Sequence, residues 1–262
     1  EDVEEEVRTL AEKGYQEIVL TGIHLSSYGT DFKEEPQDLL ELTKRLHQIP
    51  GVKRIRFGSL EPRLITEEFV RELSAMEKIC PHFHLSLQSG CDATLKRMNR
   101  HYTCEDYLYR CGILRKYFRD PAITTDVIVG FPGETDEEFA ETKKFLETVH
   151  FYEMHVFKYS RRAGTRADRM PDQVPEPAKT KRSAELLALE KEMSKAYRAS
   201  FLGRETEVLL EEPVEIGGAR YMVGHTKEYV KAAVPEAGGK NCFVRGVLKE
   251  FLTDEIIYLA EN

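Results

Sequence analysis

The chain has 262 residues, of which 41% are hydrophobic and 32% are charged, and its formal net charge is −8. This length suits one large domain or two ordinary ones, and the composition is typical of a soluble globular protein. No apolar run approaches the roughly 18 residues of a membrane span, and the acidic start lacks the basic and apolar segments of a secretion signal. We therefore expect a cytoplasmic protein with no membrane partner.

The basic residues are unevenly distributed. Residues 94–120 contain seven Lys or Arg against three Asp or Glu, and residues 158–182 contain eight against three. The negative net charge argues against a nucleic-acid partner, whereas two basic segments favour one. Each segment is either a solvated face or a phosphate-binding surface, and charge alone does not separate these interpretations.

The cysteines are five in number, at positions 80, 91, 104, 111 and 242. Their odd number, wide spacing and the missing secretion signal argue against a disulfide framework. Their spacing also matches no local metal-binding loop, so we predict no metal ligands in this chain.

The first 200 residues alternate amphipathic helices with short apolar strands, beginning with a helix over 4–13. The predicted strands cover residues 17–21, 54–59, 83–88, 124–129 and 153–159. Apolar residues at helical spacing mark the intervening helices, and the capping-box pair Thr135 and Glu138 marks the start of one. Strand–helix alternation predicts a parallel sheet with right-handed crossovers. Because five units are too few for an eightfold barrel and no strand precedes the first helix, we expect an α/β barrel that lacks its first strand.

The pattern changes near residue 200. A long helix over 183–200 is followed by five short predicted strands, at residues 206–210, 220–224, 229–234, 242–247 and 256–259. Short strands separated by turn residues are typical of a small all-β barrel of the OB type. We therefore predict two domains, residues 1–200 and residues 201–262.

The segment 82–88 alternates strictly. Residues 83, 85 and 87 are apolar, whereas residues 82, 84, 86 and 88 are His, His, Ser and Gln. In a barrel with its helices outside, the apolar set meets the helices and the polar set faces the interior. Buried polar groups need partners, so this face is either a polar layer satisfied by its neighbours or the wall of a cavity for a polar ligand. His82 and His84 share the face, but no third residue completes a metal site.

Polar residues and glycines follow the predicted strands at their carboxyl ends, where α/β barrels build their active sites. These segments are residues 21–24, 59–63, 130–135 and 159–165. Glu61 and Arg63 either pair with each other or bind a zwitterionic ligand. The turn at Gly130 is either an ordinary strand–helix turn or a place where the backbone meets an anion. Dinucleotide-binding and P-loop fingerprints are absent from the sequence.

Five stretches together resemble the radical S-adenosylmethionine methylthiotransferases, and most closely the branch that modifies threonylcarbamoyladenosine beside the tRNA anticodon. They are LTGIHLSSYGTD (20–31), RIRFGSLEPRLITEEF (54–69), CPHFHLSLQSGCDATLKRMNRHYT (80–103), TDVIVGFPGETDEEF (125–139) and HVFKYSRRAGTRADRMPDQVP (155–175). The tail from about residue 200 resembles the family's TRAM domain, a small RNA-binding barrel. The segment SLEP stands where the isopentenyladenosine enzymes usually have Ser-His-Pro, which favours the threonylcarbamoyl substrate.

The resemblance implies a six-stranded radical SAM barrel, S-adenosylmethionine as cofactor, and two [4Fe–4S] clusters in the full-length protein. Family members hold these clusters with three cysteines in an N-terminal domain and with CxxxCxxC after the first barrel strand. Neither set is present in this sequence. Because thiolates at that spacing hold such a cluster, we expect an N-terminally truncated chain that is inactive on its own. The implied partners are a tRNA carrying threonylcarbamoyladenosine and an electron donor such as flavodoxin or ferredoxin.

The same resemblance implies two sets of contact residues and assigns no catalytic side chain. The expected cofactor contacts are Thr21, Gly22, Ser59, Glu61, Gln88, Ser89, Arg100, Asp126, Ile128, Gly130, Tyr159 and Ser160. The expected RNA contacts are Arg161, Arg162, Arg166, Arg204, Arg220, Lys227, Lys231 and Arg245. In the tail, Tyr221, Tyr229 and Phe243 either stack on bases or fill the core of the small barrel.

Three functions follow from these observations. The first is transfer of a methylthio group to C2 of N6-threonylcarbamoyladenosine at tRNA position 37. The second is the same chemistry on a ribosomal protein, and the third is non-catalytic RNA binding, since the cluster cysteines are absent. The SLEP segment and the basic YSRRAGTRA segment (159–167) favour RNA over a protein substrate.

Overall fold

The computed structural model describes residues 2–29, 38–235 and 239–261, so Thr30 and Asp31 of the first resemblance stretch lie outside the described residues. Helices and strands alternate along the first 200 residues, as the sequence predicts. They are α1 (Asp2–Glu12), β1 (Glu17–Leu20), α2 (Leu39–His47), β2 (Arg54–Phe57), β3 (Ser59–Leu60), α3 (Glu67–Ser74), β4 (His82–Leu85), α4 (Asp92–Arg97), α5 (Cys104–Tyr117), β5 (Ala122–Val129), α6 (Asp136–Val149), β6 (Glu153–Lys158) and α7 (Glu176–Ala199).

The strands β1–β6 form two parallel sheets. β1 pairs with β2, and β3, β4, β5 and β6 pair in that order. The predicted strand 54–59 is divided at Gly58 into β2 and β3. An isolated parallel bridge joins Ile55 of β2 to Ile79, which lies just before β4 of the second sheet. The parallel arrangement that the strand–helix alternation predicts is therefore present, and all carboxyl ends of one sheet lie at the same edge.

The two faces of β4 differ as predicted. Phe83 and Leu85 are fully buried in the core, whereas His82 and His84 are partly exposed on the other face. We call that other face, which also carries Asp126 and His155, the inner face. The predicted strand over 83–88 ends early, at Leu85.

Side-chain caps start the helices. Thr135 accepts a hydrogen bond from the amide of Glu138, and the carboxylate of Glu138 accepts one from the amide of Thr135, so the predicted capping box of α6 is confirmed. Thr103 and Asp106 form a second box at the start of α5. Each box satisfies amide groups that have no partner inside the helix.

The helix α7 begins at Glu176, seven residues before the predicted start at Ser183. The sequence prediction placed the start of this helix too late because of two prolines, Pro175 and Pro177, since proline breaks helices in their interior. In the first turn proline is tolerated, since its missing N–H has no helical partner there. The extra turns bring Lys179 and Arg182 into buried positions beside the turn after β5.

Five strands after α7 form a closed barrel, in which one pair of neighbouring strands is parallel and the others are antiparallel. They are β7 (Glu205–Ile216), β8 (Ala219–His225), β9 (Lys231–Pro235), β10 (Cys242–Phe251) and β11 (Ile257–Glu261). Their order around the barrel is β10-β11-β9-β8-β7. The five predicted strands are present, although β9 begins at Lys231 rather than at Tyr229, which adopts a φ of 66° in the preceding turn.

The small barrel closes around a tight apolar core that includes Val208, Leu210 and Met222. Two glycines permit strands to come close at its corners. A Cβ on Gly224 would lie 1.8 Å from the carbonyl oxygen of Leu209, and one on Gly246 would lie 2.2 Å from that of Ala260. Any side chain at these positions would collide with backbone, which explains glycine inside two strands.

The small barrel packs against the amino-terminal edge of the parallel sheets. The guanidinium group of Arg54, the first residue of β2, donates to the carbonyl oxygens of His225 (2.8 Å) and Glu207 (2.7 Å). That of Arg56 donates to the carbonyl of Lys227 (3.0 Å). The carboxyl edge of the sheets therefore lies at the opposite end from the small barrel. Within the described part of the chain, no helix is both long and apolar enough to cross a membrane.

Candidate functional site

The carboxyl edge of the parallel sheets gathers the polar segments that the sequence singles out. The hydroxyl groups of Ser59 and Ser86 lie 3.0 Å apart, and the amide of Glu61 donates to the hydroxyl of Ser26 over 3.0 Å. The Glu61 carboxylate pairs with His24, so the segment after β1 contacts the segment after β3. Thr21 and Gly22, which lie between, are exposed.

The pairing of Glu61 with Arg63 is present. The Glu61 side chain is nevertheless 37% exposed, and Arg63 is 72% exposed. Exposed pairs of this kind contribute little stability. The carboxylate of Glu61 therefore remains partly accessible to a cationic ligand group even though it pairs with Arg63.

Gln88 links the segment after β4 to β5. The backbone N–H of Gln88 donates to the backbone carbonyl of Asp126 (2.8 Å), and its backbone carbonyl accepts from the backbone N–H of Ile128 (2.9 Å). Its φ of 75° is uncommon for a residue with a side chain. The phenol of Tyr102 donates to the carbonyls of Ser86 and Leu87 and supports this bend. Backbone strain of this kind persists only where neighbours enforce it, and it is concentrated at functional sites.

Ser89 points away from the edge. It is fully buried, and its hydroxyl lies 3.2 Å from that of Thr142 on α6 and 3.3 Å from the amide of Cys91. The structure therefore does not bring Ser89 together with Gln88, its expected neighbour in a cofactor site. The bend at Gln88 turns the following residue toward the helices.

Arg100 lies beside a cavity of about 330 Å³ at the carboxyl edge, which is also lined by Glu61, Ser86 and Tyr102. Arg100 is exposed, and among the described residues its guanidinium makes no ion pair. The nearby carboxylate of Asp106 is held by its own capping box. An unpaired guanidinium at this position is suited to a carboxylate or a phosphate. A larger cavity of about 530 Å³ lies at the other end of the sheets, between α7 and the small barrel.

The turn at Gly130 binds a carboxylate of the protein itself, that of Glu134. The amide of Gly130 donates to the carboxylate of Glu134 (2.9 Å), and Arg182 donates to the same carboxylate (2.7 Å). Burial raises the pKa of Glu134, although its hydrogen bonds and Arg182 oppose this. Lys179 fills the space beside Gly130 and donates to the carbonyl of Tyr159 (3.0 Å). The structure therefore favours a self-contained strand–helix turn here, not an open phosphate loop.

The segment after β6 is mostly exposed. Tyr159 packs edge-on against Phe131, and its hydroxyl is buried without a hydrogen-bond partner among the described residues. Ser160 is exposed. Arg161 pairs with Asp168 (2.9 Å), whereas Arg162 and Arg166 are exposed and form no ion pair with a described residue. Of the three arginines in this segment that are predicted to bind RNA, Arg162 and Arg166 are therefore available for phosphates.

The basic residues of the small barrel do not form a single patch. Arg204 pairs with Asp120 (2.6 Å), and Arg245 pairs with Glu207 (3.0 Å). The Lys227 amine donates to the carbonyl of Glu77, Lys231 lines the cleft next to α7, and Arg220 is exposed. Arg204 and Lys227 thus connect the small barrel to the parallel sheets, and their charges are partly used there.

Tyr229 also lies in the contact between the small barrel and the parallel sheets. Its ring lies between those of His82 (4.6 Å, 9° between planes) and His225 (4.3 Å, 11°), with the guanidinium of Arg56 4.7 Å from its centre. Phe243 lies under the guanidinium of Arg54, and Tyr221 packs with Val223 in a small cluster. The interpretation of Tyr229 as a base-stacking residue is therefore wrong for this arrangement, because both faces of its ring are covered.

One cluster on the inner face was not found from the sequence. His84, Asp126 and His155 place their ligand atoms within 4.8 Å of one another. The Nε2 of His84 lies 3.3 Å from the carboxylate of Asp126, and its Nδ1 lies 3.0 Å from the hydroxyl of Thr124. The hydrogen bond from His84 lowers the pKa of Asp126 below its usual value. The three residues come from three strands, so only the register of β4, β5 and β6 reveals them.

The comparisons with known proteins follow this geometry. The family model described as "Radical SAM superfamily" matches residues 1–146. The chain belongs to the radical SAM superfamily. The threonylcarbamoyladenosine tRNA methylthiotransferase of Bacillus subtilis is 43% identical over 88% of this chain and 51% of its own length. The tRNA-2-methylthio-N(6)-dimethylallyladenosine synthase of Acetivibrio thermocellus is 42% identical over 80% of this chain and 44% of its own length.

The chain thus spans about half the length of the curated relatives it matches. Among solved structures, the radical SAM enzyme coproporphyrinogen III oxidase from Escherichia coli aligns with a TM-score of 0.53 and 19% identity. That alignment covers 77% of this chain and 51% of the other, and it supports the fold alone. Members of this superfamily use S-adenosylmethionine and [4Fe–4S] clusters.

The cysteines of this chain do not fit such a cluster. Cys80, Cys91 and Cys111 are buried, and burial raises the pKa of Cys80 and of Cys111 to about 12. A cluster is held by thiolates, and within the described residues no three cysteines converge on one point. The polar groups at the carboxyl edge do fit those of S-adenosylmethionine, since they include the partly exposed carboxylate of Glu61, the guanidinium of Arg100, which forms no ion pair with a described residue, and the inner-face carboxylate of Asp126.

Proposed function

We propose that this chain is part of a tRNA-modifying radical SAM methylthiotransferase that adds a methylthio group to C2 of N6-threonylcarbamoyladenosine at position 37. The observation that carries the proposal is the group of complementary donors and acceptors at the carboxyl edge, in a chain whose similar curated relatives have names that specify tRNA methylthiolation. Relatives with either modified adenosine match almost equally well, so the choice of threonylcarbamoyl rests on the SLEP segment (59–62).

Within this proposal the edge residues bind and orient S-adenosylmethionine, which supplies a methyl group and one-electron chemistry when bound. Arg100 would pair with the carboxylate of the methionine part, and Glu61 would accept from its ammonium group. Asp126 would accept hydrogen bonds from the ribose hydroxyls, and Ile128 would pack against the adenine. Thr21 and Gly22 would close the site from the segment after β1, and Tyr159 and Ser160 from the segment after β6.

We further propose that residues 1–200 and 201–262 are two domains and that the second is a TRAM domain. It is an acidic segment for an RNA binder, with 11 Asp or Glu against 7 Lys or Arg in 203–262. Because affinity for RNA depends largely on neutralised phosphates, the barrel domain would share the binding through Arg162 and Arg166. The full-length protein would act in the cytoplasm on tRNA with a small electron-transfer protein as partner.

The double variant Arg162→Ala, Arg166→Ala is expected to bind a tRNA transcript about tenfold more weakly, because two phosphate contacts are lost. The slope of log affinity against log salt should fall by roughly one for each arginine. Filter binding over a salt series measures both. Arg71→Ala is the matched control, since Arg71 on α3 is 58% exposed and lies outside both basic segments. An unchanged affinity and slope in the double variant would show that Arg162 and Arg166 of the first domain do not contact RNA.

The function itself is tested by mass spectrometry of tRNA nucleosides from cells with and without an intact locus. Loss of 2-methylthio-threonylcarbamoyladenosine, with the unthiolated precursor accumulating, is the expected result. Loss of the dimethylallyl product instead would reassign the substrate. An unchanged nucleoside profile together with loss of methylthiolation from a ribosomal protein would establish the protein-modifying alternative.

A further inference from the structure

The inner face holds three side chains with the composition of a metal site. In the register of the sheet, Asp126 of β5 lies opposite His155 of β6, and Thr124 lies opposite His84 of β4. Alternation directs His84, Asp126 and His155 to the same side, and their ligand atoms lie within 4.8 Å of one another. Two imidazoles and one carboxylate converging from adjacent strands need only small rotations to share one ion.

The imidazole of His84 is already oriented for this. Its Nδ1 lies 3.0 Å from the Thr124 hydroxyl, which would accept the Nδ1 proton once a metal ion replaced the hydrogen bond between Nε2 and Asp126. That Nε2 lies 3.3 Å from Asp126 Oδ2. Two ligand atoms bound at about 2.1 Å to one ion in a tetrahedral or octahedral arrangement lie about 3.0–3.5 Å apart. A hydrogen bond from the other ring nitrogen is the usual support of a metal-bound histidine.

The surroundings leave the position open to a cation. Among the described residues, no lysine or arginine forms an ion pair with Asp126. The ring of His155 is exposed and lies 5.7 Å from that of His84, tilted by 26°. One carboxylate and two imidazoles offer one oxygen ligand and two nitrogen ligands, a set that suits a divalent ion.

We propose that His84, Asp126 and His155 bind a divalent transition-metal ion of the zinc, cobalt or iron(II) type on the inner face. Imidazole ligands favour these ions over magnesium and calcium, which prefer oxygen. Three protein ligands leave coordination positions open toward the inner face, where water or a ligand oxygen binds. The site does not depend on the function proposed above. It would compete with it, because the ion and the cofactor ribose both need the Asp126 carboxylate.

The test is a titration of the 262-residue chain with Co²⁺, followed by its visible absorption, and with Zn²⁺, followed by calorimetry. One equivalent of either ion should bind, and Mg²⁺ should give no response. His155→Ala and Asp126→Asn should each weaken Zn²⁺ binding by tenfold or more, an effect in the range seen when metal sites lose a supporting group. His155→Ala is the more informative variant, because its exposed side chain contributes little to folding.

His101→Ala is the matched control, since His101 is an exposed histidine in the loop after α4. It should bind Zn²⁺ as the parent chain does. Equal binding by the parent chain, His155→Ala and Asp126→Asn would overturn the proposal, and so would an absence of any saturable Co²⁺ binding. Neither result decides the methylthiotransferase function, which the nucleoside analysis tests separately.

Discussion

Arg54→Ala is expected to lower the free energy of unfolding by about 3–5 kcal/mol, the range for removing one partner of a buried ionic group. Arg54 is fully buried, donates to the carbonyls of His225 and Glu207, and lies 3.6 Å from the carboxylate of Glu17. Its loss leaves two carbonyls without their donor and removes one of the two arginines beside the mostly buried Glu17 carboxylate, to which Arg56 still donates. It also removes the cation that lies 4.8 Å from the ring of Phe243.

Urea unfolding followed by circular dichroism measures this change. Arg45→Ala is the matched control, because Arg45 pairs with Glu4 over 3.2 Å while 42% exposed. Exposed pairs contribute about 0–1 kcal/mol, so this variant should stay close to the parent chain. If Arg54→Ala unfolds within about 1 kcal/mol of the parent chain, the contact between the sheets and the small barrel is not held by this group.

Stability should also fall as the pH is lowered from about 6.5 toward 3, because of His82. Burial lowers the pKa of His82 from 6.5 to about 3, with smaller contributions from Arg56, His84 and His225. In that interval the unfolded chain binds a proton at His82 and the folded chain does not. The folded state therefore loses up to about 1.4 kcal/mol per pH unit from this group, and above pH 6.5 the contribution is constant.

His82→Phe should flatten that part of the pH profile. The ring of phenylalanine can still pack on Tyr229, and the Nδ1 of His82 is buried without a partner, so the substitution removes no hydrogen bond at that atom. The measurement is urea unfolding at pH 7.5, 6.0 and 5.0 for the parent chain, His82→Phe and His101→Asn, where His101 is exposed. An identical pH dependence for His82→Phe and the parent chain would mean that His82 does not titrate in this way.

The regular part of the fold could be predicted because local patterns determine it. Alternation in 82–88 correctly separated the buried Phe83 and Leu85 from the inner-face histidines, and the Thr135 capping box placed the start of α6. Helix boundaries failed where a local rule had an exception, as with Pro177 in the first turn of α7.

Contacts between distant segments could not be predicted. Arg54 and Arg56 look like interior polar residues of a strand, and nothing local indicates carbonyl partners about 170 residues away in the small barrel. Tyr229 resembled a base-stacking aromatic because its two histidine neighbours lie in other elements. The cluster of His84, Asp126 and His155 required the strand register, and the inward turn of Ser89 required the left-handed bend at Gln88.

The two ends of the parallel sheets therefore differ in structure. The amino-terminal edge is closed by the small barrel through buried arginines and stacked rings. The carboxyl edge presents the partly exposed carboxylate of Glu61 and the guanidinium of Arg100, which forms no ion pair with a described residue, beside a cavity. Because strands advance about 3.3 Å per residue, the strand β5 (Ala122–Val129) separates these ends by roughly 23 Å. Under the proposed function, a tRNA that contacts the small barrel would have to span that distance to bring its target base to the carboxyl edge.

The most direct test of the carboxyl edge as the reacting site is complementation of a cell line that lacks the locus. The locus would be restored as the parent sequence, as Glu61→Gln, or as Glu72→Gln, a control at a glutamate that is 38% exposed and pairs with Lys44. The ratio of methylthiolated to unthiolated threonylcarbamoyladenosine in total tRNA is the measurement. We expect the parent and Glu72→Gln to restore the product and Glu61→Gln to lower the ratio at least tenfold at equal protein level, since one charge-assisted contact is lost. Full restoration by Glu61→Gln would contradict the placement of the cofactor at this edge.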